Sequence, residues 1–167
     1  MRFYMAHPWT KMRKLLEEEY LCECLKGRVQ YFNTRYRHVH DGMGRMALYV
    51  DGELWINMTF MQEYIVGKKA GEYEGRLSMC QRYQMAEKDL AQEGIWGPWD
   101  FGYAIHQYLN QSIQASLESE DLLVRMLAFL DRRVGKRTLK RLKEQGEEMP
   151  EWLCRIFELR LEGEGIK

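Results

Sequence analysis

The chain has 167 residues, of which 30% are charged and 46% apolar, and Lys plus Arg balances Asp plus Glu at 25 each. This composition predicts a globular fold rather than a disordered chain, and the length favours a single domain over residues 1–167. Zero net charge argues against bulk electrostatic capture by nucleic acid or by an anionic membrane. No uninterrupted apolar run approaches the ~20 residues that a membrane span needs.

The four cysteines stand at positions 22, 24, 80 and 154, with neither a CxxC pair nor regular spacing. This pattern predicts reduced, mostly buried thiols. The first residues also lack an apolar core of signal-peptide length. We therefore expect a cytoplasmic protein, and no motif in the sequence calls for a cofactor.

The first elements of the chain are a helix and a strand. Thr10 can cap a helix that runs to about Leu25, and Gly27 suits the position just past its end. A strand is expected from Arg28 to about Arg37. It carries aromatic residues on both faces, so the pattern does not say which side is buried.

Two alternating runs, Arg45–Val50 and 53–60, flank Asp51-Gly52, which is a strong hairpin signal. We predict a three-residue loop, Val50-Asp51-Gly52, because a two-residue turn would mix apolar and polar residues on each face. One apolar face would then hold Met46, Leu48, Leu54 and Ile56. The other would hold Arg45, Ala47, Tyr49, Glu53, Trp55 and Asn57.

The remainder of the chain is mainly helical. Glycines at every fourth position predict a flexible polar segment over 67–75, or a broken helix. Further helices are expected to open at Pro98, to run from a Ser119 cap to Gly135, and to cover Lys136–Gln145 and about 150–163. The fold class is α+β: a small antiparallel three-stranded sheet at 28–60, packed against the N-terminal helix and the helical C-terminal two-thirds.

The polar face of the sheet is the first candidate site. Tyr, Trp and Arg are enriched where proteins bind one another, so this face predicts a protein-binding surface. Its members are Arg45, Tyr49 and Trp55, with Arg35 and Arg37 from the first strand.

Two other kinds of site are weighed against it. A dense basic run could bind nucleic acid, or could form a solvated surface paired with nearby acids. Its cations are Arg132, Arg133, Lys136, Arg137, Lys140 and Arg141. A metal-dependent enzyme is the third hypothesis. His38, His40 and Asp41 could supply ligands, but no second cluster in the sequence completes such a site, so a turn between strands is favoured.

Three stretches together resemble an uncharacterised family of small soluble bacterial proteins. They are Leu25–Val29 running on to Thr34–Arg37 and His40–Gly42, then Leu130–Arg137, and finally Leu159–Arg160 with Glu164–Ile166. The resemblance spans nearly the whole chain and implies no activity, cofactor or catalytic residue. Small families of this kind include toxin-neutralising immunity proteins and other binding modules. We therefore expect a non-enzymatic protein-binding module whose partner is another protein, with an immunity-like role as one form of it.

Overall fold

A three-stranded antiparallel sheet, in the order β1-β2-β3, packs one face against helices, which confirms the α+β prediction. The computed structural model describes residues 9–34, 44–59, 61–73 and 75–167. The strands are β1 (Val29–Asn33), β2 (Arg45–Val50) and β3 (Glu53–Thr59). The helices are α1 (Trp9–Lys14), α2 (Gln62–Ala70), α3 (Met79–Gln92), α4 (Pro98–Leu109), α5 (Ile113–Leu117), α6 (Leu122–Leu130), α7 (Lys136–Gln145) and α8 (Glu151–Gly163). Among these residues, no helix combines the length and apolar character that crossing a bilayer requires.

The N-terminal helix is shorter than predicted. Helix α1 already includes Trp9, so Thr10 does not cap it, and α1 passes directly into a π-helix that ends at Tyr20. The next residues are extended, and a single 3₁₀ turn then covers Glu23–Leu25. The prediction of one continuous helix to Leu25 is therefore wrong.

The break has a clear physical cause, which is a backbone connection to a distant part of the chain. Leu21 forms an isolated antiparallel bridge with Asp131. Around it, the Cys22 N–H donates to the Leu130 carbonyl at 2.9 Å, and the Arg132 N–H donates to the Tyr20 carbonyl at 2.7 Å. Because these groups bond to another segment, they cannot continue the helical ladder.

The β2–β3 hairpin closes with two residues, so the predicted three-residue loop is wrong. Val50 pairs with Glu53, and Tyr49 pairs with Leu54. Asp51 and Gly52 both have positive φ, at 52° and 83°. This is the type I′ turn, whose twist matches that of the flanking strands.

A β-bulge corrects the register immediately after the turn. Trp55 is the extra residue, so Leu48 pairs with Ile56 rather than with Trp55. The inserted residue keeps Ile56 and Met58 on the buried face with Leu48, whereas Leu54 is 45% exposed. The prediction that Leu54 joins the apolar face is therefore wrong. A two-residue turn was expected to mix apolar and polar residues on each face of the hairpin, and the bulge prevents this.

The buried side of β1, which the sequence left open, is settled by its pairing with β2. Val29 pairs with Val50, and Tyr31 with Leu48, and all four side chains are buried. The Tyr31 ring stacks on Phe101 of α4, with 5.7 Å between ring centroids. Helix α4 therefore covers this face of the sheet.

Helices α2 and α3 pack as a hairpin around a small cluster of their own. That cluster contains Val66, Ala70, Ala86 and Leu90. Of the segment 67–75, residues 67–70 form the last turn of α2, and the helix ends at Ala70, as in the broken-helix reading. The Trp152 indole N–H donates to the Ala91 carbonyl at 3.0 Å and so ties this hairpin to α8.

The later helices follow the sequence signals more closely. Helices α4, α7 and α8 have nearly the predicted bounds, with Pro98 opening α4 and Pro150 preceding α8. Helix α6 differs. Asp121, not Ser119, caps it by accepting from the Leu123 and Val124 N–H groups, and it ends at Leu130 rather than at Gly135.

Candidate functional site

One face of the sheet has no helix packed on it among the described residues, and we call it the open face. It is defined by Gln30, Phe32, Arg45, Ala47, Tyr49, Leu54 and Asn57, which are cross-strand neighbours in the register. Phe32 is 44% and Leu54 45% exposed, which is high for large apolar side chains. Ala47 lies between Phe32 and Asn57 and is fully buried by its neighbours. The open face therefore has two exposed apolar side chains, Phe32 on β1 and Leu54 on β3, with Tyr49 of β2 between them.

The polar groups of the open face come from Arg45 and Tyr49. The Arg45 guanidinium donates from Nη2 to the Tyr49 hydroxyl at 3.2 Å. The Tyr49 ring meets Phe32 edge-on, with 6.2 Å between centroids. Among the described residues, Arg45 has no carboxylate within ion-pair distance, and its Nε is buried without a hydrogen-bond partner. Arg45 is thus held by Tyr49 beside an apolar surface.

Trp55 does not lie on this face, contrary to the expectation that it accompanies Arg45 and Tyr49. As the bulge residue it packs against the main core, and the Arg155 guanidinium of α8 lies 3.8 Å from the centre of its ring. The contact is a cation–π interaction that links β3 to α8. The large exposed side chains on the open face are instead Phe32 and Leu54. The sequence pattern predicted that Leu54 is buried and did not say which face Phe32 occupies.

The other sequence candidates near the sheet lie outside the described residues. Arg35 and Arg37 fall there, and so do His38, His40 and Asp41. Within the described part of the chain, no three His, Cys, Asp or Glu side chains are arranged to hold a metal ion.

A buried polar junction engages one cation of the basic run, Arg133. The Asp131 side chain is fully buried and accepts hydrogen bonds from the Tyr108 hydroxyl and from Arg133. Arg133 donates from Nη2 at 2.6 Å and from Nε at 2.9 Å, and its guanidinium lies over the Tyr20 ring at 4.7 Å. Hydrogen bonding to Asp131 raises the pKa of Arg133, and burial is the main cause that raises the pKa of Tyr108. Arg133 is therefore a structural residue at this junction, which joins α4 to the segments around Tyr20 and Asp131.

Helix α7 carries the rest of the basic run. The Lys136 ammonium donates to the Glu164 carbonyl at 2.8 Å, so this cation is also engaged. Of the six predicted cations, Arg132, Arg137, Lys140 and Arg141 are exposed and have no acidic partner among the described residues. Leu139 is buried beneath them. The structure thus presents a basic helix face, although two of the six predicted cations already have partners inside the protein.

An acidic groove that no sequence pattern predicted lies between α3 and the N-terminal ends of α4 and α6. Glu87, Asp100 and Asp121 line it together with Met85 and Trp96. Burial raises the pKa of all three carboxyls, and repulsion from Asp100 adds to the effect on Glu87. These carboxylates come from three separate helices, so only the fold brings them together.

No curated protein and no solved structure shows significant similarity to the chain. A family model matches residues 8–161, which agrees with the resemblance to one uncharacterised family over nearly the whole sequence. The chain belongs to the SF0329 protein family.

Proposed function

We propose that this protein is a non-enzymatic protein-binding module whose partner docks on the open face of the sheet. The observation that carries the proposal is the exposure of Phe32 and Leu54 on a face that no described helix covers. Large contiguous apolar patches are uncommon on the surface of monomeric domains and often mark interaction sites. The proposed location of this binding is the cytoplasm, where all four cysteines would be thiols.

The composition of the open face specifies the chemistry of the partner. A partner apolar or aromatic side chain can contact Phe32 and Leu54 on either side of Tyr49. A carboxylate beside it can pair with Arg45, whose guanidinium is held by the Tyr49 hydroxyl. A held guanidinium loses less conformational entropy on binding than a free one, so the pair gains affinity. A toxin presenting such groups would make this an immunity-like protein, and a toxin gene beside its own gene would favour that form of the proposal.

The test is affinity capture from the native host, with parent protein and variants compared side by side. Phe32→Thr combined with Leu54→Thr removes the apolar pair while keeping strand-forming residues. The matched control is Tyr64→Gln, because Tyr64 is an exposed aromatic residue on α2, away from the sheet. We expect the double variant to bind the captured partner at least about tenfold more weakly, as two exposed interface side chains are worth more than about 1.4 kcal/mol.

Two results contradict this proposal. One is capture of no partner above background by the parent protein. The other is a partner that binds the double variant as tightly as the parent. Urea midpoints close to that of the parent for both variants would show that the comparison concerns binding and not folding.

A second function is favoured by one observation, the basic face of α7. We propose as the alternative that Arg137, Lys140 and Arg141 contact nucleic-acid phosphates, with Arg132 beside them. Phosphate contacts release counterions, so affinity would fall steeply as salt rises. Lys140→Glu with Arg141→Glu should abolish binding in a filter assay, and Lys68→Glu on α2 serves as the control. An absence of parent binding at low salt ends this alternative.

A further inference from the structure

Two cysteines that the sequence spacing did not connect lie side by side in the fold. The Sγ atoms of Cys22 and Cys24 are 3.4 Å apart. The residue between them, Glu23, begins the 3₁₀ turn. A helical residue at this position sets the flanking Cα atoms about 5.4 Å apart, which lies inside the window for disulfides. In a strand the same two side chains would lie on one face, but their Cα atoms would be about 6.6 Å apart, at the far end of that window.

The two thiols differ in their surroundings. Cys22 is 1% exposed, while Cys24 is half-buried and faces the end of α8. The Cys24 Sγ lies 3.6 Å from Glu164 Oε1, and the same oxygen forms an ion pair with Arg160 Nη2 at 3.1 Å. Cys24 is therefore the thiol that a small reagent reaches first. Cys22 is the buried thiol that can then react with the oxidised Cys24 sulfur.

We propose that Cys22 and Cys24 are a redox-active thiol pair that closes into an intramolecular disulfide when a hydroperoxide oxidises the protein. The Cys24 sulfur attacks the outer peroxide oxygen, which breaks the O–O bond, releases an alcohol or water and leaves a sulfenic acid on Cys24. The Cys22 sulfur then attacks the Cys24 sulfur and expels the sulfenic oxygen as water. Overall, two thiols and one hydroperoxide give one disulfide, one alcohol and one water, so the two thiols are oxidised and the peroxide is reduced.

The surroundings of Cys24 set the rate of this reaction. Burial, and after it the Glu164 carboxylate, raises the pKa of Cys24 to about 11, while Arg28 at the start of β1 acts weakly in the opposite direction. The thiolate is the form that reacts, so oxidation is slow at neutral pH and accelerates as pH rises. The pair therefore responds to sustained rather than brief exposure to peroxide.

Disulfide formation also changes a contact between the N-terminal segment and α8. The bond brings the two sulfurs to about 2.05 Å and removes the thiol hydrogen of Cys24, so Cys24 can no longer donate to Glu164. Glu164 keeps its ion pairs with Arg160 and Lys136. The oxidised form thus loses the hydrogen bond from Cys24 to Glu164.

Peptide mapping after treatment with hydrogen peroxide tests the proposal. Cys80→Ser with Cys154→Ser removes the remaining thiols, of which Cys80 is exposed, without touching the pair. Trypsin releases both cysteines on one peptide, residues 15–26, and cleavage after Glu23 then separates them. We expect the two halves to stay joined until a reductant is added. Separate halves carrying free thiols, or sulfinic and sulfonic acids in place of a disulfide, would overturn the proposal.

A second measurement asks whether the fold, and not only the spacing, governs the reaction. In the folded protein the oxidation rate should rise about tenfold per pH unit between pH 7 and 10, and Glu164→Gln should increase the rate at pH 7. The control is Glu162→Gln, an exposed neighbour on α8. A rate that levels off near pH 8.5, as for an unperturbed thiol, would refute the assigned role of the surroundings. The pH profile of the parent decides this point even if the Glu164 variant does not fold.

Discussion

Replacing Asp131 by Asn should be among the most damaging conservative changes in this protein. The carboxylate is fully buried and accepts from the Tyr108 hydroxyl, from Arg133 Nη2 and Nε, and from the Arg133 backbone N–H at 2.7 Å. An amide has one acceptor oxygen, so its NH₂ group would face donors. At least two charge-assisted hydrogen bonds are lost.

The size of the effect follows from the worth of those bonds. Hydrogen bonds to charged groups contribute about 1.5–3 kcal/mol each, and the low end applies because the Arg133 side chain is 40% exposed. The expected loss in the free energy of unfolding is therefore about 3 kcal/mol. With a urea dependence of about 2 kcal/mol per molar, the midpoint falls by about 1.5 M, which tryptophan fluorescence can follow.

A matched pair elsewhere in the chain provides the control. Asp51 also binds an arginine through two nitrogens, since Arg28 Nη2 and Nε lie 2.7 and 2.9 Å from its carboxylate, but this pair is exposed. Asp51→Asn should shift the midpoint far less, because exposed ion pairs are worth little. Equal shifts for the two variants, or an Asp131→Asn loss below about 1 kcal/mol, would refute the role given to burial.

Three further predictions concern the hairpin, the acidic groove and α8. Leu48→Ala should lower the free energy of unfolding, measured by urea titration, by about 2–5 kcal/mol, and Leu54→Ala should lower it by less than about 0.5 kcal/mol. Equal losses for the two variants would contradict the bulged register. The folded-state pKa of Glu87 is raised, so its ionisation costs stability as pH rises through that pKa. Glu87→Gln should therefore stabilise the protein by a few tenths of a kcal/mol at pH 7 and by nothing below about pH 4, and a gain that persists in acid would oppose this. Arg155→Ala should lower stability by about 0.5–1 kcal/mol and alter the fluorescence of Trp55, with no spectral change as the contrary result.

The parts of the fold that the sequence predicted are those determined locally. Helices α7 and α8 have periodic apolar residues with Gly or Pro at their ends, so residues a few positions apart define them. Helix α6 shows the limit of that reasoning. Its apolar period continues to Val134, but the bridge between Leu21 and Asp131 takes the backbone out of the helix at residue 131. No local pattern encodes a partner more than a hundred residues away.

The site was predicted in part, for similar reasons. Arg45 and Tyr49 are adjacent on one face because strand alternation places them there, and the structure joins them by a hydrogen bond. Trp55 does not lie on that face because it is the extra residue of the bulge, and strand alternation alone does not predict a bulge. The contact between Cys22 and Cys24 was also missed, because it depends on a 3₁₀ turn where a continuous helix was expected.

The bridge between Leu21 and Asp131 has a consequence for the order in which the molecule can assemble. During synthesis the hairpin emerges early, yet the N-terminal segment cannot reach its final backbone partners until residue 131 has left the ribosome. At about 5–20 residues per second, the roughly 70 residues from the end of β3 to residue 131 take roughly 4 to 14 s, during which the apolar face of the sheet lacks its full cover. A nascent chain halted before that point should be a substrate for chaperones and proteases, and only the longer chain should escape them.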